Sequence, residues 1–251
     1  MNQKKMLKLL DNQIETTNSQ LIKIYQKQAA KVIQQAELLY LDMIASGEVS
    51  IGALYRQDRY YKLLAAINKN LRALGAEEVK ILDSGLRNLY EQTYSHVTND
   101  SFTIVNNRIV EEAINQTWCA DGLHYSDRVW RDRTRLQHAL NGTLMDAVVQ
   151  GVSHKKLSKD LMHQFGVTES SAERIVRTEL NRIQNKAAAR GYEDAGFDQY
   201  RFLATADGRT CDECKDLDGQ VFYFKDAVEG INFPPMHPNC RSTIIAYRGG
   251  K

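Results

Sequence analysis

Four side chains near one end of this sequence have the types and spacing of metal ligands: Cys211-x2-Cys214, then 22 residues, then His237-x2-Cys240. Thiolates and imidazoles are donors that zinc prefers, and four of them complete a tetrahedral structural site. Two short-spaced pairs joined by a hairpin are a common way for a small module to supply them. All three prolines, Pro234, Pro235 and Pro238, surround His237. Each fixes its own φ and biases the residue before it toward extended backbone, so the loop carrying the second pair is expected to be stiff. A structural zinc on Cys211, Cys214, His237 and Cys240 is the first expectation, and an unmetallated, hydrogen-bonded thiol core is the main alternative.

Other chemistries fit these residues less well. A disulfide would leave one of the three clustered cysteines over, and a CxxC redox centre needs a strand-to-helix context that is missing here. An HNH-type nuclease also builds its metal site around CxxC pairs. It needs a catalytic histidine after the first pair, and none stands between Cys214 and His237. There is no Gly-x-Ser-x-Gly, phosphate-cradling glycine loop, His-Glu-x-x-His or EF-hand loop. Arg177-Thr178-Glu179 reads as ion pairing on a helix surface or between domains. No enzyme activity is expected.

The elements that must position the cluster change character along the chain. Residues 1–233 contain no proline, so long helices are permitted there. Apolar residues from Ile14 to Ile44 recur at helical steps until Gly47 and Ser50. A second helix carries Leu54, Tyr61, Leu64, Leu71 and Leu74 up to a break at Gly75, and a third carries Val79, Leu82, Leu86, Leu89 and Tyr90. Ser126 is placed to cap a helix through Val129, Leu136, Leu140, Leu144 and Val148. A short helix from Ser153 is expected to end at Gly166, and a further one to run from Thr168 to about Gly196. Beyond it, Gln199 to Thr205, Val221 to Phe224 and Ser242 to Tyr247 have strand character around the turn pairs Asp207-Gly208 and Asp218-Gly219. The fold class is mainly α, with a small β-rich α+β module at the C-terminal end. Three regions are expected: helical 1–120, helical 121–196 and the Cys/His module 197–251.

The 33 Lys+Arg against 31 Asp+Glu, with 43% hydrophobic and 25% charged residues, describe an ordinary folded chain and name no partner. No apolar run approaches the roughly 20 residues that cross a bilayer, and the first residues lack a signal-peptide core, so the chain is expected to be made in a cytoplasm. Residues 121–190 hold 12 Lys+Arg against 8 Asp+Glu. Arg182, Lys186 and Arg190 form an i, i+4, i+8 line, with Arg174 further up the same helix. These are the expected contacts to DNA phosphates, with a solvated helix face as the plainer reading.

Taken together, Ala172-Glu173-Arg174-Ile175-Val176-Arg177-Thr178-Glu179, Asn185, Asp207-Gly208-Arg209-Thr210-Cys211-Asp212-Glu213-Cys214, Leu217-Asp218-Gly219 and Pro234-Pro235-Met236-His237-Pro238-Asn239-Cys240-Arg241 resemble the minor head proteins of tailed bacteriophages, the Mu F-like head morphogenesis family. The resemblance covers about residues 125 to 247; the first 120 residues match only in being helical. It implies a minor capsid component inside the virion, assembled in the host cytoplasm, that associates with portal and capsid or scaffold proteins. It further implies help in head assembly and, in some members, non-specific contact with packaged double-stranded DNA or influence on its ejection, with no membrane partner. Cys211, Cys214, His237 and Cys240 match the family's Cys/His motif. Arg177, Thr178 and Glu179 match its other signature, whose role the resemblance leaves open. Ser242 departs from the many relatives that carry a further cysteine there. The alternative functions are a metal-dependent, HNH-like nuclease and a structural interaction protein with no DNA contact.

Overall fold

The computed structural model describes residues 3–99, 106–119, 121–205 and 207–249. Seven α-helices occur among them: α1 Gln3–Ala45, α2 Ile51–Tyr55, α3 Arg59–Thr98, α4 Asn107–Asn115, α5 Tyr125–Gln150, α6 His154–Asp194 and α7 Asp212–Leu217. Three strands, β1 Gln199–Leu203, β2 Val221–Tyr223 and β3 Thr243–Tyr247, form one antiparallel sheet in the order β2-β1-β3. The expected mainly α body with a small β-rich module is what the chain forms. No helix among the described residues is long and apolar enough to cross a membrane.

Two of the expected helix ends are absent. The break at Gly75 and the stop at Gly166 both lie inside continuous helices, α3 and α6. Glycine costs a helix interior only about 1 kcal/mol relative to alanine, which packing readily outweighs. Leu157, Leu161, Phe165, Thr168, Ala172 and Val176 keep one buried line through Gly166 without losing step. Gly75 has the opposite character, because a Cβ there would lie 2.7 Å from Cζ3 of Trp130. It is a close-approach site for an indole. A Cβ on the exposed Gly166 would meet nothing within 4 Å. Gly166→Ala is therefore expected to stabilise the protein by about 0.5–1 kcal/mol and Gly75→Ala to destabilise it by about 1–3 kcal/mol. Urea denaturation of both variants checks this, and two shifts of the same sign would contradict it.

The chain divides into two compact units, each drawing on the same long helices. One comprises Ser19–Lys80 and Ser126–Ala172 and is entirely helical. Its buried side chains include Leu21, Tyr25, Val32 and Tyr40 of α1, Ile67 and Leu71 of α3, and Leu136 and Leu140 of α5. The Tyr25 hydroxyl donates to Glu78 at 3.1 Å, and the Arg133 guanidinium reaches the same carboxylate at 3.4 Å, so three helices share one buried polar contact. Burial pushes the Glu78 carboxyl above its ordinary range against the opposing pull of Arg133.

The other unit comprises the residues up to Asn18, Ile81–Tyr125 and those from Glu173 on. Here β1 pairs with β3 from Gln199↔Tyr247 to Leu203↔Thr243, and with β2 from Gln199↔Tyr223 to Arg201↔Val221. Alternate residues of a strand face one side, and β1 divides its buried face between two clusters. Tyr200 packs with Met6, Ala188, Tyr192, Phe224, Phe233 and Ile244. Phe202 packs with Ala204, Cys214, Met236 and Cys240. The second cluster is the floor of the Cys/His site.

Candidate metal centre

Cys211 caps the six-residue helix α7, with extended backbone and its Sγ accepting the Cys214 N–H at 3.4 Å. That cap places both sulfurs on one side of the turn. The second pair arrives on a loop stiffened by the three prolines. The His237 carbonyl accepts the Cys240 N–H at 3.1 Å, and Asn239 between them takes a left-handed φ of 62°, a conformation asparagine tolerates better than most residues.

The two pairs converge. His237 Nε2 lies 3.1 Å from Cys211 Sγ and 3.5 Å from Cys214 Sγ, and the three donor atoms fall within 4.8 Å of one another. Cys240 Sγ joins through Cys214 Sγ at 4.0 Å. A tetrahedral zinc with bonds of about 2.3 Å to sulfur and about 2.0 Å to nitrogen requires separations of roughly 3.8 Å between sulfurs and 3.5 Å between sulfur and nitrogen. The His237 contacts, at 3.1 and 3.5 Å, and the Cys214–Cys240 separation of 4.0 Å lie within about 0.4 Å of these values. His237 Nδ1 is 2.9 Å from the Pro238 carbonyl, whose oxygen can only accept. Nδ1 therefore carries the proton and Nε2 turns a lone pair toward both sulfurs, the tautomer a metal needs. A cavity of about 20 Å³ bordered by Cys211, Cys214, His237 and Ser242 has room for one ion or one water. Burial, then the neighbouring sulfurs, push the Cys214 thiol well above its ordinary range, so a thiolate here needs a cation beside it. Cys211, Cys214 and His237 form a cluster that could hold a metal ion, with Cys240 beside Cys214 as the candidate fourth ligand.

Helix α6 backs this site with polar side chains that the sequence reading placed at a surface. Arg182 is fully buried, which removes it from the expected DNA contacts. Its Nε binds Glu179 Oε2 at 2.8 Å, and its terminal nitrogens donate to the carbonyls of Ala113 at 3.0 Å and Ile114 at 3.2 Å. The guanidinium thus closes the C-terminal end of α4, whose last carbonyls have no helical partner. Lys186 pairs with Glu229 at 3.4 Å and Arg190 with Asp194 at 3.0 Å, while Arg174 is exposed. The line of basic residues is therefore not a uniform cationic stripe.

The same helix resolves the Arg177-Thr178-Glu179 string into separate contacts. Arg177 is exposed. Glu179 is buried rather than on the surface, and its Oε1 accepts from Trp118 Nε1 at 3.1 Å. Thr178 donates to the Arg174 carbonyl at 2.7 Å and accepts the Asn239 N–H at 3.0 Å. Asn181 donates to the Ser242 carbonyl at 3.0 Å, and Asn185 Oδ1 accepts from the Thr243 hydroxyl at 3.0 Å. Sequence reasoning missed Trp118, Asn181, Asn185, Glu229 and Asn239 as supports of the site. The available signals were two asparagines one turn apart in a helix otherwise expected to be apolar on that face, and the places of Asn185 and Asn239 among the residues that resemble the head-protein family.

A Cys/His knuckle on a small sheet, held against the polar face of a long helix, defines the class of module present. Residues 138–245 match the family described as Phage Mu protein F like protein. It is 21% identical over 267 aligned residues to the Minor head protein GP7 of Bacillus phage SPP1, covering 97% of this chain and 86% of that one. It is 24% identical over 113 residues to an uncharacterized protein of Haemophilus influenzae, covering 45% of this chain and 25% of that one. No solved structure matches.

Proposed function

We propose that this chain is a minor head protein that acts in phage head assembly and resides in the virion, in association with the portal and with capsid or scaffold proteins. The observation that carries the reading is the similarity to a minor head protein over nearly the whole chain, not over the Cys/His module alone. The module serves assembly by rigidity. Zinc on Cys211, Cys214, His237 and Cys240 stabilises a sheet of three short strands that buries little core of its own. The N-terminal helices, outside the matched residues 138–245, supply docking surface to neighbouring head proteins. The three regions expected from sequence, 1–120, 121–196 and 197–251, divide these tasks. Non-specific contact with packaged DNA, as the genome enters or leaves, falls to Arg174, Lys186 and Arg190.

The test is made on particles. Virions purified from cells infected with the phage that encodes this chain are expected to contain it in few copies, and portal protein is expected to co-purify with it from lysates. Binding of the isolated chain to duplex DNA is expected to be weak and to fall steeply with salt. Absence from both particles and portal complexes would overturn the head reading, and salt-independent DNA affinity would overturn the phosphate contacts.

A further inference from the structure

The loop that presents His237 and Cys240 has one backbone amide between the two ligands that is aimed outward from the knuckle, that of Asn239. An N–H turned into protein without an acceptor costs about 1–3 kcal/mol, so its partner bears directly on whether the loop keeps this shape. The partner is the Thr178 hydroxyl at 3.0 Å. Thr178 is buried on α6, and its own proton is already committed to the Arg174 carbonyl at 2.7 Å, one turn back. The hydroxyl is therefore held in one orientation, with a lone pair facing the loop. The left-handed backbone at Asn239 directs its N–H to that oxygen and at the same time lets Cys240 N reach the His237 carbonyl.

Two neighbouring contacts hold the same loop farther along. Thr205 Oγ1 donates to the Arg241 carbonyl at 2.9 Å, and Asn181 donates to the Ser242 carbonyl. Both act after Cys240. Thr178 alone among these acts on the step from one ligand to the other. Adjacent helical residues point about 100° apart, so Thr178 and Glu179 address different segments, one the knuckle and the other Trp118 and Arg182. We infer that Thr178 is the positioning residue for the His237–Cys240 half of the metal centre, acting through the Asn239 amide. The inference rests on the zinc reading above. Outer contacts of this kind typically alter metal affinity by about 10- to 100-fold.

Thr178→Val keeps the shape of the side chain and removes the acceptor; Thr178→Ser keeps the acceptor and removes a methyl group. In chelator competition, Thr178→Val is expected to weaken zinc binding about tenfold or more, with Thr178→Ser within about threefold of the wild type. The cobalt-substituted protein is expected to show a changed thiolate-to-metal absorption band in Thr178→Val only. Amide exchange at Asn239 should accelerate in Thr178→Val and remain slow in Thr178→Ser. Wild-type affinity, spectrum and exchange in Thr178→Val would overturn the assignment. If the wild-type protein takes up neither metal, the zinc reading fails separately. The Asn239 exchange rates then still decide whether Thr178 sets the loop: selective acceleration in Thr178→Val upholds the contact, and unchanged exchange overturns it.

Discussion

Arg182→Ala is expected to destabilise the unit formed by the residues up to Asn18, Ile81–Tyr125 and those from Glu173 on by about 3–5 kcal/mol, the range seen when one member of a buried ion pair is removed. The size follows from what the guanidinium leaves behind. Glu179 and Glu229 lie in the interior, 2.8 Å and 3.9 Å from its nitrogens, the Ala113 carbonyl loses its Arg182 donor at the end of α4, and the Ile114 carbonyl keeps only the His124 ring at 3.2 Å. A carboxylate in that position must either stay charged without compensation or take up a proton. Burial already holds the Glu229 carboxyl above its ordinary range, opposed by Lys186 and Arg182. Removing Arg182 raises it further. A raised folded-state value gives a contribution that is present below the unfolded value and lost as pH rises through the folded one. The difference between wild type and variant should therefore be largest near neutrality and shrink as pH falls toward the ordinary carboxylate range. Denaturant titrations of both proteins at several pH values measure it. A difference under about 1 kcal/mol at neutral pH would show that the cluster is not the keystone described, because intact buried pairs often contribute little while broken ones cost several kcal/mol.

Zinc removal should have a comparable effect. Elemental analysis of untagged protein is expected to find about one zinc per chain, and Cys214→Ser or His237→Ala to lose it. Structural zinc sites contribute folding free energy outright, so loss of the metal is expected to lower the melting temperature by about 10 °C or more. Cys119→Ser is the control and should retain both metal and stability, since Cys119 lies outside the cluster that converges on His237. Because the thiolates and the imidazole must be deprotonated to bind, release should follow falling pH, with the zinc leaving before the helices unfold. Wild-type protein without zinc at full stability would recast Cys211, Cys214 and Cys240 as a packed thiol cluster.

Much of this was legible in the sequence, for identifiable reasons. Ligand spacing within each pair is a local property, so Cys211-x2-Cys214 and His237-x2-Cys240 could be read without knowing the fold, and the strand runs flanking them were short but unambiguous. Helical phase was largely legible, but it erred where glycine was taken as a stop, where Leu54 and the exposed Tyr61 were set on the buried face of one helix with Leu74, and where Ser126, which lies inside α5, was expected to cap it. At Gly75 the missing side chain makes room for Trp130, and at Gly166 the buried line simply continues. Arg182 was misread because an i, i+4, i+8 basic line has the same spacing whether it faces water or one member reaches inward to another helix. Its partners Glu229 and the α4 carbonyls are 47 and 68 or 69 positions away, and no local pattern announces them. Thr178 and Glu179 stood out only through their place in a family motif. Their contacts give that motif physical content: one residue holds a loop and the next balances a buried charge.

The division of β1 between two clusters also bears on how such proteins can exchange parts. A cut in the loop after α6 would separate Tyr200 and Ile244 from Ala188 and Tyr192, and Ser242 and Thr243 from Asn181 and Asn185. The knuckle is therefore not a transplantable finger. A crossover between related genes at that loop would graft a sheet onto a helix cut for another one, so viable mosaics should carry their junctions upstream of Thr178, with helix and knuckle inherited as one block.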